Sequence, residues 1–246
     1  MKVVAIIPAA GLGTRMIPAT GKTTGAGKKK NSPSKQFTDL GGLPILLHTL
    51  RKFAACTEVT EICVALRHSE IASFRARLEK DGKDILEKRV NLVEGGEHRQ
   101  QSVANALAAI QVGNDDIILV HDAVRPFVTP EIIQDVIAAA QKYGAAIAGL
   151  PAVDTVKQVE RTAEGAVITA TLPRERVVLA QTPQGFRYGL LKKVFDEAAA
   201  DGFMGTDEAS LVERSGHMVA VVMGSPRNIK ITTPADLDLA EFFLKR

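Results

Sequence analysis

The segment Ile7-Pro8-Ala9-Ala10-Gly11-Leu12-Gly13-Thr14-Arg15-Met16 concentrates the residue types that can hold a phosphate. Gly11 and Gly13 admit backbone angles that other residues avoid. The small side chains of Ala9 and Ala10 let a ligand approach the main chain, whose successive N–H groups can cradle phosphate oxygens. Arg15 adds a permanent cation with a fixed fork of donors. Other chemistries have less support. His48, His68, His98, His121 and His217 are scattered, and with Cys56 and Cys63 they form no set with zinc spacing. No Ser-His-Asp or Cys-His arrangement is apparent.

Three nucleotide-binding patterns compete for this loop. A dinucleotide fingerprint needs a third glycine three residues after Gly13, where Met16 stands. A Walker-type loop ending in Gly21-Lys22-Thr23 needs a glycine at the same position and fails there too. A small-residue pair followed by Gly-x-Gly-x-x-Met, as in sugar-nucleotide transferases, fits throughout. A glycine turn between a strand and a helix is the structural alternative. The stretch from Met16 to Ser34 is rich in Gly, Thr, Lys, Ser and Pro. Within it, Lys28-Lys29-Lys30 reads either as a solvated basic loop or as a strap closing over a polyphosphate.

Short apolar runs alternate with helical patterns along the chain, and they must position this loop. Strands are expected at Lys2–Ile7, Glu61–Leu66, Val90–Val93, Ile117–Val120, Ala145–Leu150 and Val219–Met223. Helical spacing covers Pro44–Phe53, Glu70–Leu86, Ser102–Ile110, Pro130–Tyr143, Leu190–Ala200, Asp207–Ser215 and Ala235–Leu244. Ser102 and Thr129 are the expected caps, with Pro130 at a first helical position. Such alternation implies an α/β fold with a parallel sheet covered on both faces. Ligands of these sheets bind beyond the carboxyl ends of strands, which directs attention to the residues after Ile7, Val93, Val120 and Leu150. Val153–Val159, the turn residues Thr162-Ala163-Glu164-Gly165 and Val167–Leu172 read as a hairpin that interrupts the rhythm.

With 246 residues the chain suits one α/β domain spanning 1–246, with the hairpin as an arm at about 152–174. The net charge is +3, yet Met16–Thr38 carries five lysines and no acidic residue; without them 26 basic residues face 28 acidic ones. That distribution argues against a nucleic-acid-binding surface. No apolar run is long enough to span a membrane. The first residues lack the plan of a signal peptide, and two cysteines beside apolar runs read as reduced thiols; together these predict a cytoplasmic protein.

Eight motifs in order resemble the 2-C-methyl-D-erythritol 4-phosphate cytidylyltransferase family. They are Pro8–Met16, Lys35-Gln36, Gly95–Val103, His121–Pro126, Asp154–Lys157, Gln181–Gln184, Thr206–Ser210 and Asn228–Thr232. They cover nearly the whole chain. The resemblance implies a Rossmann-like nucleotide-diphospho-sugar transferase fold with a mostly parallel twisted sheet and a β-arm exchanged in a homodimer. It implies transfer of CMP from CTP to methylerythritol phosphate, with Mg²⁺ bound mainly through the CTP phosphates. D-ribitol 5-phosphate is the sister acceptor, and a non-catalytic nucleotide-binding regulator on the same fold is the reading from another class.

The same resemblance implies residue roles. Arg15 and Lys35 would stabilise charge at the α-phosphate. Pro8, Ala9, Ala10, Gly11, Gly13, Gly96, Glu97 and Ser102 would bind the nucleotide. Asp122 and Arg125 would line the site near the ribose and the acceptor. Arg174, from the partner's arm, and Lys230 would hold the acceptor phosphate, with Thr155, Thr182 and Thr206 supplying hydroxyls nearby. Ser34, rather than the family's usual proline, precedes Lys35, and the link from Arg15 is long, so Lys28–Lys30 compete for the role of Lys35.

Overall fold

A computed structural model describes residues 1–11, 34–163 and 165–245. The chain begins with β1 (Val3–Pro8), and a 3-10 turn at Lys35–Phe37 leads into the short pair β2 (Asp39–Leu40) and β3 (Leu43–Pro44). Then come α1 (Ile45–Ala54), β4 (Glu61–Leu66), α2 (His68–Asp81), β5 (Arg89–Glu94), α3 (Arg99–Ala109), β6 (Ile117–Val120), α4 (Pro130–Tyr143) and β7 (Ala145–Pro151). A hairpin of β8 (Val156–Thr162) and β9 (Gly165–Leu172) follows. After it come β10 (Val178–Arg187), α5 (Tyr188–Ala200), α6 (Glu208–Arg214), β11 (Ala220–Met223) and α7 (Pro234–Leu244).

Seven strands form one sheet in the order β11-β7-β10-β6-β1-β4-β5. The pairs β1–β4, β1–β6, β4–β5 and β11–β7 are parallel, whereas β10 runs antiparallel to both β6 and β7. The sheet is thus mostly parallel, as alternating strands and helices require. Strands β1 and β6 are apolar on both faces because helices cover both. Val3, Ala5 and Ile7 of β1 pack with α1, α2 and α4, while Val4 and Ile6 pack with α3, α5 and α6. A smaller cluster of Leu40, Ile45, Ile231 and Ala240 seats α7 beside β2.

Helix starts follow capping chemistry. The Thr129 side chain accepts from the Ile132 N–H ahead of α4, with Pro130 at the first position as expected. Asp207 and Thr233 form capping boxes for α6 and α7. Two expectations need correction. Helix α2 stops at Asp81 rather than running to Leu86, because the chain turns at Gly82, whose N–H bonds the Leu78 carbonyl. Helix α3 starts at Arg99, so Ser102 lies inside its first turn and does not cap it.

Besides the two-residue β2 and β3, one strand of the main sheet was not anticipated. In β10 the run Gln181-Thr182-Pro183-Gln184 is polar and contains proline, so no apolar period marks it. Its polar groups are satisfied by the fold instead. Gln181 exchanges hydrogen bonds with Ser225 at 2.9 and 3.2 Å, and Gln184 donates to Asp207 Oδ2 at 2.7 Å and accepts from the Ala209 N–H at 3.1 Å. Gly185 lets α4 settle on this strand. A Cβ there would lie 2.7 Å from Val136 Cγ1, 3.2 Å from Ala140 Cβ and 3.2 Å from Leu119 Cδ2. Gly185→Ala should therefore destabilise the protein by about 1–3 kcal/mol through overpacking. Urea unfolding would show this as a lower midpoint at unchanged slope, and an unshifted midpoint would contradict the close approach of α4.

Candidate active site

From β1 the chain steps outward to β4 and β5, then crosses back to place β6 on the other side of β1. This reversal opens a crevice beyond the carboxyl ends of β1 and β6, the usual ligand position in such sheets. A cavity lies there, lined by Pro8, Ala9, Ala10 and Gly11 after β1, by Gly96 to Arg99 and Ser102 at the start of α3, and by Asp122 to Val124 after β6. Lys35, Gln36, Lys230 and Thr232 complete the lining. Residues distant in sequence meet because parallel strands deliver their following loops to one edge.

The loop after β1 is held from outside. Gln36 Nε2 donates to the Ala9 carbonyl, and Arg67 Nε donates to the Ala10 carbonyl at 3.0 Å. In a trans peptide unit the N–H points opposite to the C=O. The Ala10 and Gly11 N–H groups are therefore turned away from those two partners and are not consumed by them. The neighbouring loop is pinned to the first turn of α3. Ser102 Oγ accepts from the Gly96 N–H at 3.0 Å and donates to the His98 carbonyl at 3.1 Å, while Gln101 Oε1 accepts from the Glu97 N–H at 3.0 Å. Gly95 makes the two loops touch, since a Cβ there would lie 2.6 Å from Ala10 Cβ.

Opposite charges converge on Asp122. Its Oδ1 faces Arg99 Nε at 3.4 Å, and its Oδ2 faces Arg125 Nε at 3.2 Å and Lys230 Nζ at 2.9 Å. Burial alone would raise the Asp122 pKa; Arg99, Lys230 and Arg125 together hold it well below the usual carboxylate range. Arg99 Nη1 also donates to both oxygens of Glu208, at 2.6 and 2.7 Å. Glu208 is 1% exposed, and its burial pushes its pKa up while the Arg99 guanidinium pulls against it. Arg125 Nη1 donates to the Asn228 carbonyl at 2.6 Å, which ties β6 to the segment carrying Lys230. Lys35 Nζ donates to the Thr232 carbonyl at 3.1 Å.

His121 sits beneath this cluster, fully buried against Phe53 with ring centroids 4.8 Å apart. Its Nε2 lies 3.0 Å from the Arg125 carbonyl, an acceptor only, so Nε2 carries the proton. Nδ1 then accepts from the Thr182 hydroxyl at 3.0 Å, and that hydroxyl oxygen accepts from the Asp122 N–H at 3.1 Å. Burial lowers the His121 pKa to about 4, with the Arg125 carbonyl acting in the other direction. The imidazole is therefore neutral at physiological pH and works as a rigid strut.

The structure brings together Pro8, Ala9, Ala10, Gly11, Lys35, Gly96, Glu97, Ser102, Asp122 and Lys230 in one cavity. Gly13, Arg15 and Lys28–Lys30 lie outside the described residues. Arg125 and Thr182 stand behind Asp122, so their groups hold the site's own residues. Thr155 and Arg174 lie exposed at the base of the hairpin, where Arg174 Nη1 donates to the Val153 carbonyl at 2.7 Å, and Thr206 is exposed just before α6. None of these three lines the cavity. Sequence reasoning assigned no role to Arg99, Glu208 or Gln36, although each falls within or beside a motif it singled out. For Arg99 and Glu208 the available signal was a charge inside a motif; the partner each meets was not readable.

Comparison with known proteins points to one family. The family model IspD, 2-C-methyl-D-erythritol 4-phosphate cytidylyltransferase, matches residues 3–246. A protein of that name from Acidobacterium capsulatum is 55% identical, over 100% of this chain and 98% of the relative. One from Solibacter usitatus is 51% identical, over 100% and 96%. The crystal structure of the Francisella tularensis 2-C-methyl-D-erythritol 4-phosphate cytidylyltransferase superposes with a TM-score of 0.78 at 35% identity, covering 98% of this chain and 99% of that one. With a family model spanning nearly every residue and these relatives matching end to end, the chain belongs to the 2-C-methyl-D-erythritol 4-phosphate cytidylyltransferase family.

Proposed function

We propose that the cavity between β1 and β6 joins the CMP moiety of CTP to the phosphate of 2-C-methyl-D-erythritol 4-phosphate and releases pyrophosphate. The observation that carries this reading is the meeting of a glycine-bearing phosphate loop, Lys35 and Lys230 at one switch point. An oxygen of the acceptor's phosphate monoester attacks the α-phosphorus, and the bond from that phosphorus to the pyrophosphate oxygen breaks. The second pKa of a phosphate monoester is about 6, so the attacking group is largely a dianion at neutral pH and needs no general base. The barrier is the approach of an anion to a triphosphate, which positioning and fixed cations lower.

Roles follow from placement. The Ala10–Gly11 main chain and Gly96, Glu97 and Ser102 would seat the nucleotide. Lys35, with Arg15, would stabilise charge on the α-phosphate, and Lys230 would aim the acceptor phosphate. Asp122 would keep Lys230 in place. Asp122 is already shared by three cations and offers no free carboxylate oxygen to a metal ion. Mg²⁺, as the family resemblance implies, would enter with the CTP triphosphate as part of the substrate.

A homodimer through the hairpin is part of this proposal. Strands β8 and β9 pair only with each other in the described structure, and such an isolated hairpin is marginal in water. Val159 and Ile168, which are register partners, and Val167 are about half exposed or more. A second copy covering them would also explain why Arg174 does not line its own chain's cavity. A cytoplasmic setting is supported by the free, buried Cys56 and Cys63; no described helix is long and apolar enough to cross a membrane.

Pyrophosphate release with Mg²⁺, CTP and either methylerythritol phosphate or ribitol phosphate tests the function. Release with the first alone is expected, and its kcat/KM should fall as the pH drops below about 6 and the acceptor becomes a monoanion. Release with ribitol phosphate alone would move the protein to the sister reaction, and silence with both would leave a nucleotide-binding regulator. Lys35→Ala should lower turnover roughly 10²–10³-fold with the fold intact. Near-normal turnover would transfer the role to Lys28–Lys30. Ile168→Asp should sediment as a monomer and lose affinity for the acceptor; a dimer of unchanged stability would rule out the arm as the interface.

A further inference from the structure

We infer that Arg99 and Glu208 form a positioning pair that holds the Asp122 carboxylate in place and, through it, the ammonium group of Lys230. The inference rests on the functional reading above, in which Lys230 meets the acceptor phosphate.

Glu208 is the first residue of α6 and Arg99 the first of α3, so the pair fastens the start of α6 to the start of α3, which lines the cavity. Both Glu208 oxygens are bound by the same Arg99 nitrogen, at 2.6 and 2.7 Å. That leaves the Nε edge of the guanidinium facing Asp122 Oδ1, at a long 3.4 Å. An arginine without a second anion would meet Asp122 through two short parallel bonds, the usual geometry of such pairs. It would then compete with Lys230 for the same carboxylate. Here the stronger anchor on Glu208 keeps Arg99 at a distance, and Asp122 Oδ2 stays with Lys230 at 2.9 Å and Arg125 at 3.2 Å. The five charges leave one net positive charge where a phosphate dianion must arrive. Glu208 itself is almost wholly buried and does not line the cavity, so removing its charge reaches the substrate only through its neighbours, Arg99 by direct bonds and Asp122 by repulsion.

The test is Glu208→Gln, nearly the same shape without the charge, read as separate kcat and KM values for CTP and for methylerythritol phosphate. The expected result is a KM for the acceptor raised about 10-fold or more, the weight of one charged hydrogen bond, with the KM for CTP changed less than about 3-fold. In a Lys230→Gln background the same substitution should add less than about 2-fold, because the group it positions is gone. Equal effects on both substrates, or full additivity with Lys230→Gln, would reduce the pair to a structural tie between α3 and α6 and overturn the inference. Arg99→Lys covers the case in which Glu208→Gln does not fold. It keeps the charge but cannot reach both carboxylates, and it should reproduce the selective rise in acceptor KM; no such rise would overturn the inference. Wild-type protein in the same assay separates the two levels. A wild type silent with methylerythritol phosphate overturns the functional reading and this inference with it, whereas an active wild type with an additive Glu208→Gln effect overturns the pair alone.

Discussion

The Asp122 carboxylate, buried at the end of β6 and shared by Arg99, Arg125 and Lys230, is the interaction on which the site depends. A carboxylate in so little water is stable only because these cations surround it. Each cation comes from a different part of the chain. Arg99 opens α3, Arg125 lies in the loop after β6, and Lys230 lies between β11 and α7. One anion thereby fixes the relative position of three segments around the crevice, and they remain positively charged overall toward an incoming phosphate.

The layers beneath serve that arrangement. His121 is neutral and locked between the Arg125 carbonyl and the Thr182 hydroxyl, so the loop that carries Asp122 cannot swing. Thr182 belongs to the antiparallel strand β10, whose polar centre also reaches Asn228: the Asn228 side chain donates to the Thr182 carbonyl at 2.8 Å and to Gln181 Oε1 at 3.2 Å. Buried polar groups of this kind are costly unless paired; the Asn228 amide nitrogen is paired twice, and Asn228 Oδ1 has no partner among the described residues. The segment that bears Lys230 is thus held from β10, from β6 and from the capping box of α7. There Asp236 Oδ2 accepts from the Thr232 N–H and hydroxyl at 2.8 and 2.9 Å, and the Thr232 carbonyl receives Lys35. This rigidity suits a reaction in which the protein supplies placement and charge and no proton-transfer group.

Much of this was legible in the residues. The apolar runs at Glu61–Leu66 and Ile117–Val120 and the helix at Pro130–Tyr143 with its Thr129 cap are set by local rules, strand-length apolar runs and an N-terminal cap, and the structure keeps the same bounds. The loop after β1 drew attention through Gly11 and its small neighbours Ala9 and Ala10, and these residues line the cavity. The order of eight motifs carried the family, and with it the chemistry.

Pairings across the chain were decided only by the tertiary structure. Strand β10 has no periodic signal, since its buried middle is polar and is stabilised by partners more than 20 residues away. Ser102 looked like a cap because its type suits one; the fold uses it instead to hold the Gly96 N–H. Thr182 and Arg125, expected to meet the substrate, turn to Asp122 and His121. Arg99 and Glu208 had no assigned purpose until α3 and α6 were seen to start side by side. Sequence alone determined most of the strands and helices, β2, β3 and β10 excepted, because those follow from neighbours within a few residues. Which charge faces which depends on where the sheet's crossovers deliver each loop, and that geometry exists only once the chain has folded.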